Sequence, residues 1–524
     1  MTQPVLIDGD WRTSHSHEMF QATDPNTASK IDRDFPVSSW EDIDRCLAAA
    51  ADAAVKMRRL PRTAIADFLD RYADALDAAA DRLVAAAFEE TGLAVSPRLR
   101  DVELPRTSGQ LRQAAKAART AVWTMPIIDT AANIRSCLGP LGPVCVFGPN
   151  NFPFAFNSVA GGDFAAAMAA GNPVIAKANT SHPYTTQILG ELAQSALKQS
   201  DLPPAAVQLI YRTSHADGAL MVADPRVGAI GYTGSRHAGL ALKAAADKAG
   251  KPFYAELSSI NPILVLAGAI RERADAIADE FVTSGLMGGG QFCTNPGLVL
   301  LPSGDAGRKF LERVVEKYKA AKPATLLSPS VCKSLASGVS TVQKRGAEVL
   351  CGGAVADEPR IAFQNTVLRV DAKQFLQSPA EFQTEMFGNA ALVVQCDGTD
   401  QMLQVIGALE GNLTGCICSA RDGSDDADYG PLAELLATKV GRLLNDKMPT
   451  GVAVSPAMNH GGPFPATGHP NFTAVGMPTS IVRFTKLTCY DAVRADRLPD
   501  VLRDQNAIDG LWRNVDGRWT TDSI

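Results

Sequence analysis

A cysteine surrounded by glycine is the first residue of the chain that could carry chemistry. The stretch GGGQFCTNPG runs from Gly288 to Gly297, and Cys293 is its only reactive side chain. Most free cysteines pack as small buried hydrophobes, and their reactivity rather than their packing marks the exceptions. The glycines permit tight backbone turns and leave room beside the thiol. The stretch therefore indicates either a nucleophile in a confined pocket or an ordinary buried thiol.

Two polar segments carry side chains that could assist such a thiol. GPNNFP contains Asn151, whose amide could donate a hydrogen bond to a developing oxyanion, although asparagine is equally common in turns and caps. YAELSS places Glu256 at the end of an apolar run, where burial would raise the pKa of its carboxyl group and suit a general base. A partnered or solvated loop glutamate fits the same pattern.

Two other segments could hold a phosphate-bearing ligand. Lys177 ends the apolar run PVIAKA, and ligands of open α/β sheets bind at the carboxyl ends of strands. In GYTGSRHAG, Gly234 permits a close backbone approach, and Ser235 could cap a helix whose N-terminus attracts a pyrophosphate. A surface lysine and an ordinary strand-to-helix turn remain open alternatives.

The surrounding pattern predicts two α/β domains in tandem. Residues 38–118 predict alanine-rich helices that begin at a capping box formed by Ser38 and Glu41. From about Val144, short apolar runs alternate with helical patterns, which is typical of parallel βαβ units. A second such series begins near Asn261, with helices expected at 272–287, 305–320 and 431–445. TSIVRFTKLTCY near the C-terminus alternates like an exposed strand that needs a partner.

Composition and charge exclude several classes of protein. The chain has 524 residues, 46% of them hydrophobic, and a net charge of −6 without a long basic run, so nucleic acid is not expected as a partner. No N-terminal signal peptide or apolar run of bilayer-spanning length is present, so no membrane association is expected. The ten cysteines are scattered without a CxxC, which predicts no metal site and reduced thiols in the cytoplasm.

The order of these motifs is more specific than any one of them. GPNNFP, AKAN, GYTGS, AELSS, GQFCTNPG and TEMFG follow one another over nearly the whole chain. This series resembles the NAD(P)-dependent aldehyde dehydrogenase superfamily. The resemblance implies an α/β fold with a Rossmann-like cofactor domain, an α/β catalytic domain and a small β arm that joins subunits into a dimer or tetramer. The implied bounds are 1–120 and 139–257 for the cofactor domain, 258–456 for the catalytic domain, 121–138 and 477–492 for the arm, and 493–524 for a C-terminal tail.

The resemblance also implies a role for each catalytic candidate. Cys293 matches the family's nucleophile, which attacks the aldehyde carbon and later carries a thioester. The side chain of Asn151 and the backbone N–H of Cys293 would hold the oxyanion. Glu256 matches the general base that activates water and releases the carboxylic acid.

The cofactor candidates match the family at three positions. Lys177 matches the lysine at the adenosine ribose, and Ser235, next to Gly234, matches the serine near the pyrophosphate. Glu385 in TEMFG matches the glutamate that holds the nicotinamide ribose. These matches imply a nicotinamide dinucleotide cofactor.

One departure from the family pattern concerns the choice of cofactor. Thr180 stands where the family commonly has a glutamate that binds the adenosine ribose. A carboxylate would repel a 2′-phosphate, whereas a hydroxyl could donate to it, so NADP is expected and NAD remains possible. Arg212 is a candidate partner for that phosphate, and a solvated loop cation is an equally good interpretation.

Other departures concern the substrate. Asn150, the segment ELSSIN, Asn389 and the motif NHGGPFPATGHPNFTAVG resemble a branch that contains 2-oxoglutarate semialdehyde dehydrogenases and an NADP-dependent fatty aldehyde dehydrogenase. The semialdehyde predicts cationic or polar groups at the pocket mouth, and a long-chain aldehyde predicts an apolar tunnel. The candidates for the pocket wall are Phe152, Phe292 and His460, although His460 could instead be a hydrogen-bonded loop histidine. A non-catalytic protein that kept the fold is opposed by the retention of the whole catalytic set.

Overall fold

The computed structural model describes residues 2–524, and three sheets organise them. None of the helices in this range is long and apolar enough to cross a membrane. Two of the sheets have seven strands each and belong to the two predicted α/β units. The third sheet has five strands and stands apart from both.

Helices precede the first sheet, as the alanine-rich pattern predicts. They span Trp40–Met57, Arg62–Ala78, Ala80–Thr91 and Leu104–Thr120. The predicted capping box lies one residue too early, because Ser39 caps the first helix and Asp42 completes the box. Ser and Asp in SSWEDID offer two overlapping registers, and the buried face of the helix selects the second.

The first sheet contains five parallel strands with an antiparallel hairpin on one edge. In spatial order the strands are Phe253–Glu256, Ala229–Thr233, Val144–Phe147, Val174–Lys177, Val207–Ile210, Val5–Ile7 and Asp10–Arg12. The helices that connect the parallel strands are Gly162–Ala169, Pro183–Leu197, His215–Ala223 and Arg236–Lys248. Lys177 and Glu256 end their strands at the same edge of the sheet, which is where the expected ligand would bind.

The second sheet is parallel except for one edge strand. Its strands, in spatial order, are Glu348–Cys351, Thr366–Asp371, Ala390–Cys396, Leu298–Pro302, Ile263–Val265, Asn412–Cys418 and Val440–Asn445. Its helices are Ala267–Leu286, Asp305–Ala320, Pro329–Lys344, Ala372–Gln377, Pro379–Phe382, Thr399–Gly407 and Asp426–Ala437. The helix predicted at 431–445 is wrong in its second half, because Val440–Asn445 is an edge strand of this sheet.

The third sheet joins distant parts of the chain. Its order is Thr485–Asp491, Ile134–Pro140, Ile127–Asp129, Arg513–Val515 and Arg518–Thr520. The predicted C-terminal strand begins later than its alternation suggests, because Thr479–Phe484 forms a 3₁₀ turn. The segment 493–524 adds the last two strands, so this sheet is larger than the predicted arm.

Two short antiparallel ladders lie near the N-terminus. They pair Met19–Phe20 with Phe35–Pro36 and Thr23–Asp24 with Ser29–Lys30.

Candidate active site

The glycines before Cys293 are required by the backbone. Gly288, Gly289 and Gly290 have φ angles of 56°, 69° and 69°, in the left-handed region that other residues rarely adopt. A Cβ atom on Gly290 would lie 2.1 Å from the carbonyl oxygen of Gly388. The chain therefore turns sharply after the helix Ala267–Leu286 and presents Cys293 to a cleft.

A buried asparagine fixes the other side of the cysteine. Asn261 donates from Nδ2 to the carbonyl oxygens of Cys293 at 2.9 Å and Asn295 at 2.8 Å. Its Oδ1 accepts from the hydroxyls of Ser259 and Thr414. Asn261 has a positive φ and is completely buried, so its place is fixed by these bonds. It was missed as a site residue, and the only sequence signal is its position at the end of ELSSIN.

Asn151 lies against the same turn. Its Nδ2 donates to the carbonyl oxygen of Gln291 at 2.9 Å, and its side chain is buried at the wall of the cleft. The backbone N–H of Cys293 donates to no backbone carbonyl within residues 2–524. An amide side chain and a free N–H beside one sulfur are the donors that an oxyanion needs.

A histidine links the cysteine to the glutamate. Nε2 of His460 lies 3.4 Å from Sγ of Cys293 and 2.9 Å from Oε1 of Glu256. His460 and Glu256 are almost fully buried, and Oε2 of Glu256 has no hydrogen-bond partner within residues 2–524. Burial, followed by the negative charge of Glu256, raises the pKa of the Cys293 thiol well above its ordinary value. The free site therefore holds a protonated thiol next to two groups that can accept its proton.

These three side chains also lie close enough together to contact one ion. The Cys293, His460 and Glu256 donor atoms all lie within 4.8 Å of one another, and sulfur, imidazole and carboxylate are ligands that Zn²⁺ accepts. The sequence pattern gives no sign of this cluster, because the three residues come from separate segments.

The candidate residues for the nicotinamide end line one cleft of about 640 Å³ with Cys293. Ser235 caps the helix Arg236–Lys248 by accepting from the N–H of Ala238, and Gly234 precedes it on the cleft wall. Glu385 accepts from the N–H of Ser259 at 3.2 Å, and burial raises the pKa of its carboxyl group to about 7. A helix N-terminus, a glycine without a side chain and a half-buried carboxylate suit a pyrophosphate followed by a ribose.

The candidates for the adenosine end lie around a second cleft of about 610 Å³, which shares Ser330 with the first. Thr180 and Arg212 line it. Lys177 is half-buried at the end of its strand, and desolvation of its ammonium group together with the nearby charge of Arg212 lowers its pKa to about 8. Arg212 is an exposed loop residue on the wall of this cleft, within electrostatic range of Lys177, so both interpretations of it stay open.

The candidates for the substrate pocket belong to an aromatic cluster, which we define as Phe152, Phe156, Phe292 and Phe472. Ring centroids are separated by 5.1 Å for Phe152 and Phe156 and by 5.5 Å for Phe152 and Phe292. The Phe156 ring lies 5.8 Å from that of His460. The cluster therefore reaches the catalytic histidine candidate.

Two arginines that the sequence analysis missed lie against this cluster. The guanidinium carbon of Arg98 is 4.4 Å from the Phe152 ring centroid, and that of Arg106 is 5.2 Å from the Phe156 centroid. Arg98 forms an ion pair with buried Glu103 and donates to the carbonyl of Asn151. Neither arginine has a sequence signal beyond its place in a helical segment.

Comparisons with known proteins agree with this geometry. The model of the aldehyde dehydrogenase family matches residues 11–425. Alpha-ketoglutaric semialdehyde dehydrogenase 2 of Azospirillum brasilense is 39% identical over 97% of this chain and 98% of its own length. Alpha-ketoglutaric semialdehyde dehydrogenase of Acinetobacter baylyi is 34% identical over 94% of this chain and 93% of its own length.

A solved structure shows the same fold at low identity. PnpE from Pseudomonas, in complex with nicotinamide adenine dinucleotide, superposes with a TM-score of 0.80 at 20% identity and covers 94% of this chain and 99% of its own. The expected α/β fold is thereby confirmed. The chain belongs to the aldehyde dehydrogenase family and is an NAD(P)-dependent aldehyde dehydrogenase.

Proposed function

We propose that this enzyme oxidises 2-oxoglutarate semialdehyde, which is alpha-ketoglutaric semialdehyde, to 2-oxoglutarate. The catalytic role is supported by one observation. Sγ of Cys293 lies 3.4 Å from Nε2 of His460, and Cys293 lines the same cleft as Asn151. The substrate assignment is supported by two relatives of nearly equal length that carry this name.

The first step assigned to the chain is attack by Cys293. Its sulfur bonds to the aldehyde carbon, and the electron pair of the C=O double bond moves to oxygen. The S–H proton passes to Nε2 of His460, which also lies 2.9 Å from Oε1 of Glu256, and Glu256 stays a carboxylate. The new oxyanion accepts hydrogen bonds from the Asn151 amide and the Cys293 N–H, and each such donor typically contributes about 3–4 kcal/mol.

A nicotinamide dinucleotide, when bound, supplies the two-electron acceptor that turns the adduct on Cys293 into a thioester. Ser235, Gly234 and Glu385 would hold its pyrophosphate and nicotinamide ribose. The fit is supported by the helix N-terminus that Ser235 begins and by the half-buried carboxylate of Glu385 at the cleft wall.

Glu256 would complete the cycle as the general base. Its carboxylate accepts a proton from water, the water oxygen bonds to the thioester carbon, and the C–S bond breaks. Oε2 has no partner within residues 2–524 and is therefore free to meet that water. His460 returns its proton to the departing sulfur, which restores the thiol, and Glu256 releases the proton taken from water to solvent. This role for the base favours hydrolysis over transfer of the acyl group to coenzyme A.

We propose NADP as the preferred cofactor, with NAD as a usable alternative. Support comes from Thr180 and Arg212 on the wall of the adenosine cleft and from the cationic Lys177 beside Arg212. Thr180→Glu should lower kcat/KM for NADP at least about tenfold and leave that for NAD within threefold, because a carboxylate repels the 2′-phosphate. An equal effect on both cofactors would contradict the assignment.

We propose a cytoplasmic homo-oligomer, a dimer or tetramer, joined through the third sheet. Thr485–Asp491 is an edge strand of that sheet, and its Leu487 side chain is 65% exposed. Exposed edges of this kind pair with another chain. All ten cysteines are free, which fits a reducing compartment. Light scattering of the wild type and of Leu487→Lys would test the interface, with a smaller species expected for the variant.

The substrate is tested by measuring kcat/KM with NADP for 2-oxoglutarate semialdehyde and octanal side by side. A preference for the dicarbonyl acid above about 100-fold, or about 2.7 kcal/mol of transition-state stabilisation, would support the proposal. An equal or higher value for octanal would contradict the substrate assignment and favour the fatty aldehyde alternative.

Cys293→Ala should abolish both activities and keep cofactor binding, and retained activity would exclude Cys293 as the nucleophile.

A further inference from the structure

Arg106 is a cation that the catalytic proposal leaves unused. It lies in the first turn of the helix Leu104–Thr120. Its Nε donates to Gln110 and its Nη1 to the carbonyl of Val452, at 3.1 Å each, while its Nη2 is buried without a hydrogen-bond partner within residues 2–524. A buried guanidinium group with an unused N–H pair is costly unless a ligand completes it.

The charge of Arg106 is also unpaired. No carboxylate of residues 2–524 lies within 4.0 Å of its nitrogens, whereas the neighbouring Arg98 has an ion pair with Glu103. Burial lowers the pKa of Arg106, and the negative charges of Glu103 and Glu256, together with the nearby Cys293 side chain, act on it in the opposite sense. Arg106 therefore lies within electrostatic range of the catalytic thiol but holds no counter-ion of its own.

Arg106 lies against the aromatic cluster that reaches His460. Its guanidinium carbon lies 5.2 Å from the Phe156 ring centroid and 5.9 Å from that of Phe152. Phe156 in turn contacts His460, which reaches Cys293. A chain of contacts through Phe156 and His460 therefore joins the guanidinium group of Arg106 to the thiol of Cys293.

We propose that Arg106 forms a carboxylate subsite that binds the acid end of a short dicarbonyl substrate while Cys293 attacks its aldehyde end. This inference rests on the proposed function and names the group that would select for it. An arginine edge binds a carboxylate through charge-assisted hydrogen bonds, and the low-polarity aromatic wall strengthens them. The same wall accommodates the methylene groups of a five-carbon chain.

A second unpaired arginine provides the matched control. Arg442 is also without a carboxylate within 4.0 Å among residues 2–524, and burial lowers the pKa of its guanidinium group. However, its Nη1 and Nη2 donate to the carbonyls of Gly451 and Pro449, so no Nη group is left for a ligand. Arg442→Met therefore tests whether the loss of any buried charge near the thiol is enough to lower activity on the semialdehyde.

The test compares Arg106→Met, Arg106→Lys and Arg442→Met on 2-oxoglutarate semialdehyde and on pentanal, which has the same chain length but no carboxylate. Arg106→Met should lower kcat/KM for the semialdehyde about 100-fold, mainly through KM, and leave that for pentanal within threefold. Arg106→Lys should recover part of the loss. Glutarate should inhibit the wild type competitively against the aldehyde and lose about tenfold or more in affinity with Arg106→Met.

The outcomes separate this inference from the proposed function. If the wild type prefers the semialdehyde and Arg106→Met keeps the same preference, only the role of Arg106 is overturned. If Arg442→Met shows the selective loss instead, the subsite lies elsewhere. If the wild type oxidises pentanal as well as the semialdehyde, the substrate proposal and the subsite both fail. Glutarate binding provides a readout that is independent of turnover, and a folded Arg106→Lys excludes simple misfolding.

Discussion

Nε2 of His460 lies 2.9 Å from Oε1 of Glu256, and both side chains are about 1% exposed. A single Nε2 faces this carboxylate and, at 3.4 Å, the sulfur of Cys293. One nitrogen can donate its proton to only one of these two neighbours at a time. Which of them accepts the His460 proton therefore depends on which of them is ionised. His460 is therefore placed to exchange a proton between nucleophile and base.

His460→Gln should separate proton transfer from hydrogen bonding. Glutamine can still donate to Glu256 but cannot carry a proton, so we expect kcat to fall about 100-fold, near the lower bound for general acid–base groups. Steady-state kinetics over a range of pH measure this loss. His469→Gln is the control, because His469 is an exposed residue of the same loop. A near-wild-type profile for His460→Gln would leave His460 as a structural residue.

Glu256→Gln should make the cysteine more reactive while stopping turnover. The charge of Glu256 raises the pKa of the Cys293 thiol, so neutralising it lowers that pKa and increases the thiolate fraction at neutral pH. The pH profile of Cys293 alkylation by iodoacetamide should move to lower pH. Steady-state turnover should fall by about 100-fold or more, since no base activates water. A shift of the alkylation profile to higher pH would contradict this arrangement.

The sequence identified the site in part because each predicted residue ends a strand or lies in a turn. Glu256 and Lys177 terminate apolar strands, and the glycines before Cys293 mark a turn that no other residue can make. The contacts of His460 with Cys293 and Glu256 could not be predicted from the sequence in this way. It joins positions separated by 167 and 204 residues, and local patterns carry no information on such pairs.

The misplaced helix at 431–445 has a similar cause. LLATKVGRLLN reads as a continuous helical pattern, but Gly441 lies inside the edge strand Val440–Asn445. A Cβ atom at Gly441 would lie 1.9 Å from the carbonyl oxygen of Gly461, so the glycine is required by the close approach of a loop that follows it in the sequence. Arg106 and Asn261 were missed for the same reason, since their partners are distant in sequence.

Asn151→Ala tests the oxyanion donor. Removing one such donor typically lowers kcat by about 100- to 1,000-fold while binding of the substrate changes little. Asn150→Ala is the matched control, because Asn150 also lines the cleft. It should retain kcat within about fivefold. Equal losses in both variants would show that the turn itself, and not the Asn151 amide, is required.

Lys177 should make NADP binding depend on pH. Burial and Arg212 lower its pKa to about 8, so the ammonium group is charged below pH 8 and neutral above it. The Kd for NADP should therefore increase as the pH rises from 7 to 9, because a cation at the adenosine ribose is lost. Arg212→Met removes the nearby charge and should move this transition to higher pH. Isothermal titration calorimetry would measure it, and a Kd that is constant over this range would contradict the placement.

Gly290→Ala tests whether the turn before Cys293 is fixed by the backbone. Alanine there combines a φ of 69° with a Cβ atom 2.1 Å from the Gly388 carbonyl oxygen, so a backbone shift is unavoidable. We expect a loss of about 2 kcal/mol or more in stability, together with a large fall in kcat as Cys293 moves. Gly304→Ala separates the two causes, because Gly304 has a φ of 98° but no atoms within 4 Å of the added Cβ. It should cost about 1 kcal/mol and leave kcat unchanged. Thermal unfolding and steady-state kinetics measure both effects, and a Gly290→Ala enzyme with wild-type kcat would show that the turn tolerates a side chain.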